Sequence, residues 1–336
     1  MRRDLDGAAS IAAIMPRLVV ADGAVLARVL DALPPSAREG LSAAAFATFE
    51  QAVQKTTWAR AHRQRIALMD GDVVLATAVR GQLEARLDDR PVRIRAIGSL
   101  WADPARAAES PAAALVAALV DAGRDDGADL ALVLAPSDGA WPAAEDFEPV
   151  PTTEVEVRVI ESTRHGAPMT LVRGGEDRDL AAIVAMGNAR ARLSRFHLVR
   201  DADFVKFALT RRRLLAGLAP AGQRALRFLI AEEGITASAY VVLTETAGVW
   251  TIEECGDRDV AGARVGALLQ ATVAREPVET RPTIRGWLPP AFAPPQLALA
   301  RSPASPPLLF ARSLSAGLAP LDLTADQILY WRNDLF

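Results

Sequence analysis

From residue 65 to 79 two apolar stretches flank a polar break: Arg65-Ile-Ala-Leu-Met, then Asp70-Gly71-Asp72, then Val73-Val-Leu-Ala-Thr-Ala-Val79. β-prone residues on either side of an Asp-Gly turn predict a hairpin. Val92-Arg-Ile-Arg-Ala-Ile-Gly98-Ser-Leu-Trp101 alternates at its start and follows the turn Asp88–Pro91, so the hairpin is expected to grow into an antiparallel sheet that ends at Asp103-Pro104. From Pro111 to about Arg124, Leu115, Val116, Leu119 and Val120 recur at helical spacing, with Pro111 suited to a first turn and Gly127 just beyond the end. Leu130–Ala135 reads as a short buried strand, and Val155–Val159 alternates cleanly.

Past the turn His165–Pro168 the order returns. Asp179–Ala191 and Asp201–Leu218 read as helices, Leu226–Ile230, Ala237–Thr244 and Val249–Glu254 as strands, and Arg264–Ala274 as a second amphipathic helix. A shared order without evident sequence identity is the mark of a weak internal duplication. The proline-rich stretch Pro289–Pro307 predicts an extended crossing segment, Leu308–Leu314 a strand, and Leu321–Phe336 a docked tail, since Ile328, Leu329, Tyr330 and Trp331 would be costly to leave in water. The expected class is α/β (α+β): two mixed, mostly antiparallel sheets flanked by helices, in units 1–160 and 161–288, closed by 289–336.

Composition narrows the classes. A chain of 336 residues with 51% hydrophobic and 24% charged residues has the length of about two domains and is neither disordered nor built like a membrane protein. The net charge of −3 and the lack of a long basic block argue against nucleic acid as partner. All cations but Lys55 and Lys206 are arginines, which in an alanine-rich chain reads as base composition rather than a phosphate-reading surface. The single cysteine, Cys255, makes neither an internal disulfide nor a zinc site, so a reducing cytoplasm is expected. Asp4, Asp6, Pro16 and Arg17 interrupt any signal-type core, and no apolar run has membrane-span length. No metal and no membrane are expected; the chain is a monomer or a homo-oligomer.

A hairpin, a central strand, a loop, a helix and another strand is the core order of the Gcn5-related N-acetyltransferases, and local sequences resemble a bacterial two-domain subgroup of the enhanced-intracellular-survival type. The segments are Ala67–Ala78, Leu87–Val92, Ile97-Gly98, Ala102–Pro104, Glu253–Asp259, Gly262–Gln270 and the closing Tyr330-Trp331, Asp334 and Phe336. The resemblance implies acetyl-CoA or another acyl-CoA as cosubstrate and a small-molecule amine as acceptor. It also implies a thioester held by backbone N–H groups around Gly98, Ser99, Leu100 and Trp101, and a pyrophosphate cradled in a glycine-rich loop at the next helix N-terminus. The matching positions here are Arg106, Ala107, Ala108, Glu109 and Ser110: the spacing is kept and the glycines are gone.

That departure has a size. A left-handed backbone at Ala108 or Ser110 would cost roughly 1–2 kcal/mol over glycine, and Glu109 near a pyrophosphate would add roughly 1–4 kcal/mol of repulsion at about 4 Å. Coenzyme binding is therefore expected to be weak or absent, with Arg106 as a displaced phosphate contact. The tyrosine that the resemblance implies as proton donor to the leaving thiolate falls near Trp141-Pro142, neither of which can replace it. The carboxylate of Phe336 stands where the subgroup uses a terminal carboxylate as base, or the tail only seals a seam. Trp101 and Trp141 line a pocket or pack beneath the loop. Cys255 sits beside Glu253 and Glu254, which suppress a thiolate; His62, His165 and His197 lack ligand spacing; and Arg211-Arg212-Arg213 reads as a solvated face. The function expected is acyl transfer to an amine, impaired by these losses, or a non-catalytic binding module on the same fold.

Overall fold

A computed structural model describes residues 16–134, 146–160, 171–289, 291–303, 309–316, 318 and 322–334. The first 134 residues give β1 (Arg17–Val20), α1 (Gly23–Ala32), α2 (Ala43–Gln54), α3 (Thr57–His62), β2 (Arg63–Asp70), β3 (Val73–Leu87), β4 (Arg90–Ala102), α4 (Pro111–Asp125) and β5 (Leu130–Leu134). The middle of the chain adds β6 (Glu148–Pro149), β7 (Thr153–Val159), β8 (Leu171–Gly174), α5 (Leu180–Ala191), β9 (Phe196–Leu198) and α6 (Ala202–Leu218). Then come β10 (Ala225–Glu233), β11 (Thr236–Thr246), β12 (Val249–Asp257), α7 (Ala263–Val273), β13 (Thr283–Gly286), β14 (Leu297–Pro303), β15 (Leu309–Ser313) and β16 (Ile328–Leu329).

The strands form two mostly antiparallel sheets. The first runs β1-β2-β3-β4-β5-β15-β6, with β9 joined to β3 and β16 to β9; the second runs β14-β7-β13-β12-β11-β10-β8. The hairpin predicted around Asp70–Asp72 is β2–β3, and the third run is β4, antiparallel to β3. The stripe on α4 is buried as its spacing requires: Leu115, Val116, Leu119 and Val120 pack with Ile97, Ala131 and Val133 on one face of the first sheet. The other face carries α1, α2 and α3 through Val29, Leu30, Phe46, Phe49 and Val53. These three helices precede the first pattern read in the sequence, although Ser42 and Thr56 mark two of their starts by accepting the N–H groups of Ala45 and Ala59.

The units expected as 1–160, 161–288 and 289–336 exchange strands. β7 lies in the second sheet between β13 and β14, whereas β9, β15 and β16 complete the first. The tail docks, with Tyr330 and Trp331 buried, the latter in the second core. The run Arg211–Arg213 corrects the solvated-face reading: Arg213 is exposed beside Asp177, but Arg211 is buried and Arg212 reaches Glu253 at 2.8 Å.

Burial of arginine demands carboxylates, and α6 and β12 supply them to each other. Arg200, just before α6, makes two hydrogen bonds to Glu254 of β12, at 2.8 and 2.7 Å, and its Nε lies 3.1 Å from Asp334 of the tail. Tyr240 and Asn333 also donate to Glu254. Burial pushes the Glu254 carboxyl up, but Arg200 and these hydrogen bonds more than offset it and the net shift is downward. Asp334 is the second carboxylate on one guanidinium. Burial first, then the Glu254 charge, push it up to about 7 against the pull of Arg200.

The folded protein thus holds the Asp334 proton more tightly than the unfolded chain does, so this group favours folding most at acid pH and loses that contribution as pH rises toward 7. Asp334→Asn keeps the neutral form at every pH. Its stability relative to the parent should therefore rise by about 2 kcal/mol between pH 5 and pH 8, read from urea unfolding at each pH.

Candidate functional site

Among the described residues β4 and β5 pair in parallel from Ile94–Leu130 to Ile97–Val133. Beyond Ile97, β4 stays bonded to β3 but through an irregular register between Thr77 and Val79, and Ser99 takes a left-handed φ of 48°. An extra residue in one strand raises its local twist, and this bulge in β4 begins at Gly98, just past its last described pair with β5. This stretch brings Gly98, Ser99, Leu100 and Trp101 together as expected, with Gly98 buried, Ser99 exposed, and Leu100 and Trp101 half-buried. Trp101 packs toward the first core. Beneath the bulge, Thr77 donates to the carbonyl of Ile66 at 2.8 Å, giving its fully buried hydroxyl an acceptor.

After β4, Asp103 accepts the N–H of Ala105 and starts a 3-10 turn, Pro104–Glu109, that leads into α4. Ala107, Ala108, Glu109 and Ser110 are exposed there. Of the two positions at which a left-handed backbone was a concern, Ser110 adopts it, at φ 49° and ψ 47°, while Ala108 remains in the turn. Arg106 is already engaged, its guanidinium lying 3.1 Å from Asp70 and 3.2 Å from Glu109. It thus offsets the charge of Glu109. The N-cap residue of α4, Ser110, makes no capping hydrogen bond, and its first turn carries no acidic residue. The positive end of this four-turn helix therefore has no carboxylate in its first turn, and Glu109, just before its N-cap, is paired with Arg106.

The second sheet repeats this geometry with the opposite outcome. β12 and β13 pair in parallel from Val249–Thr283 to Ile252–Gly286, β12 has an irregular register against β11 between Val242 and Leu243, and α7 follows. Here Asp257 occupies the helix end: its carboxylate accepts the N–H groups of Arg264 at 2.8 Å, Val265 at 3.0 Å and Asp259 at 2.8 Å. Gly262 has the left-handed φ of 80°, but a Cβ at this position would lie 2.6 Å from the Phe292 ring. The glycine retained in this half admits the crossing segment.

Each of the two sheets has a bulged strand, a helix after it and a parallel partner strand after the helix. The fold is that of the Gcn5-related N-acetyltransferases. The chain is similar to a conserved protein from Enterococcus faecalis V583 described as a probable N-acyltransferase, at 12% identity and a TM-score of 0.61 over 89% of this chain and 72% of that one. A Gcn5-related N-acetyltransferase from Anabaena variabilis aligns at 8% identity and a TM-score of 0.64, covering 89% and 73%. The N-myristoyltransferase of Saccharomyces cerevisiae, with bound myristoyl-CoA, aligns at 8% and 0.52, covering 88% and 82%. No family model and no curated protein match the sequence.

Within the acetyltransferase fold, Trp141, Pro142, His165 and Phe336 lie outside the described residues. Cys255 is buried, and burial followed by the Glu254 charge pushes its thiol up, which disfavours the thiolate. His62 stacks on Trp58 with ring centroids 5.2 Å apart, and His197 is held below its ordinary pKa, chiefly by burial. Among the described residues no three His, Cys, Asp or Glu side chains gather as a metal site, and no helix is long and apolar enough to cross a membrane. Asp257 was missed by sequence reading. Its signal is an aspartate shortly before Gly262 and an apolar helix, a capping pattern stretched over a loop.

Asp257→Ala removes the acceptor from two first-turn donors of α7 and should lower stability by about 1–2 kcal/mol in urea unfolding. Ser110→Gly relieves a left-handed serine and should raise stability by about 1 kcal/mol in the same measurement.

Proposed function

We propose that the first sheet carries an acyl-CoA-dependent N-acyltransferase site, passing an acetyl or other acyl group to the amine of a small molecule. The observation that supports this reading is the contrast between the halves. The first turn of α4 carries no acidic residue and the nearest carboxylate, Glu109, is paired with Arg106, while the corresponding end of α7 is filled by Asp257. A helix end of that kind favours a diphosphate, and the left-handed bulge at Ser99 breaks the strand ladder where a thioester carbonyl would lie.

In this reading the backbone N–H groups along Gly98–Trp101 polarise the thioester carbonyl, and Ala107–Ser110 with the α4 N-terminus hold the pyrophosphate. The amine nitrogen attacks the carbonyl carbon, the C–S bond breaks, and the coenzyme leaves as its thiolate. The amine proton passes to water or to the Phe336 carboxylate. The loop is a poor copy of its kind: Ser110 is strained, Glu109 adds a carboxylate that Arg106 only neutralises, and Trp141-Pro142 offers no phenol to protonate the thiolate. Coenzyme affinity is therefore weaker than micromolar and turnover slow, since a missing general acid typically costs about 10²–10⁴-fold.

Calorimetry with acetyl-CoA and free coenzyme A tests the assignment. The variant Glu109→Arg with Ser110→Gly should bind at least about tenfold tighter than the parent, the two changes removing repulsion and strain of that size. Equal affinity of parent and variant overturns the placement of the pyrophosphate. Coenzyme release over an amine panel then separates a slow enzyme from a binding module: the reading expects slow release from the parent, and binding without any release would favour the module.

A further inference from the structure

β2 opens with Arg63-Gln64-Arg65, and strand alternation sends both arginines to the face that carries α1, α2 and α3, the face away from α4. Glu50 of α2 meets them there. Its two oxygens accept four hydrogen bonds, from Arg63 at 3.1 and 3.0 Å and from Arg65 at 3.4 and 3.0 Å. All three residues are at most 5% exposed. Burial pushes the Glu50 carboxyl up, but the two guanidiniums outweigh it and hold it well below the usual carboxylate range. The triad is therefore one carboxylate against two guanidiniums, with a positive charge in surplus. Arg65 Nη1 is buried with no hydrogen-bond partner among the described residues.

The triad lines a cavity of about 520 Å³ bounded by the end of β1, the start of α1, the end of α2 and the start of β2. That volume lies within the range of about 300–1,000 Å³ typical of small-ligand pockets. Val20 and Leu26 contribute to a mostly apolar wall, Lys55 and Arg60 stand at its margin, and Asp22 is the only carboxylate besides Glu50 among the lining residues. Four cations thus face two anions around an apolar space. A surplus buried charge is costly unless a counter-charge joins it.

We propose that this cavity binds a small organic anion, a monocarboxylate carried on an apolar chain, whose carboxylate offsets the surplus charge at Arg65 and whose chain fills the space against Val20 and Leu26. The site is separate from the one proposed at β4 and α4, since Arg65 pairs with Val79 on the far side of β3 from β4 and the cavity lies on the face away from α4.

Titration of the intact chain by calorimetry and thermal shift with octanoate tests it, using 1-octanol as the neutral analogue, octylammonium as the cationic one and inorganic phosphate as the charge without a chain. Saturable one-to-one binding of octanoate, at least about tenfold tighter than that of the other three, is expected, hydrogen bonds to a charged group being of that size. Arg65→Met leaves the Arg63–Glu50 pair intact and should remove the preference for octanoate over octanol. Leu26→Trp fills the cavity without touching a charge and should weaken octanoate by a similar factor; it decides alone if the arginine variant does not fold. No saturable octanoate binding, equal affinity for octanol, tighter binding of phosphate, or an unchanged response in Leu26→Trp overturns the proposal.

Discussion

One guanidinium joins three parts of the chain that are far apart in sequence. Arg200 enters from the segment between β9 and α6, Glu254 from the middle of β12 and Asp334 from the tail, and all three side chains are nearly inaccessible to water. None of the three could be buried alone at tolerable cost. Their meeting ties the start of α6 and the tail to the second sheet, and Arg212 of α6 adds a second pair with Glu253, the residue before Glu254. The two sheets share this polar seam as well as their apolar cores.

The two halves show how one geometry can be put to different ends. In each, the first strand of a parallel pair carries a bulge against its antiparallel neighbour and a helix follows it. What differs is the source of negative charge. Asp257 supplies it from within the chain and the crossing segment covers the loop, so the second of these sites is a structural joint. The first has no acidic residue in its helix's first turn, only Glu109 paired with Arg106 just before it, and its loop is exposed.

Much of this frame was legible in the sequence because it depends on local alternation and helical spacing. The β2–β3–β4 ladder, the stripe of α4 and the burial of Tyr330 and Trp331 follow from residues close together in the chain. The strand exchange was not legible: that Thr153–Val159 pairs with Leu297–Pro303, and Leu309–Ser313 with β5, is a choice among apolar partners that no local pattern encodes. The inward turn of Arg211 and Arg212 was hidden for a similar reason, because a triple arginine reads as surface until its carboxylates are known. At the site, the missing glycines were visible, but only the backbone showed that of Ala108 and Ser110 it is Ser110 that bears the left-handed conformation.

Exchange of strands also bears on how the chain reaches its native state. Leu309–Ser313 extends the first sheet by pairing with Leu130–Leu134, and between these segments lie all seven strands of the second sheet. Closing so long a loop is entropically expensive unless the intervening chain has already collapsed into a compact body. High contact order of this kind makes folding slow and ties the completion of the first sheet to that of the second. Cutting the chain between the sheets would therefore yield fragments with open strand edges, prone to associate with one another, in place of two autonomous domains.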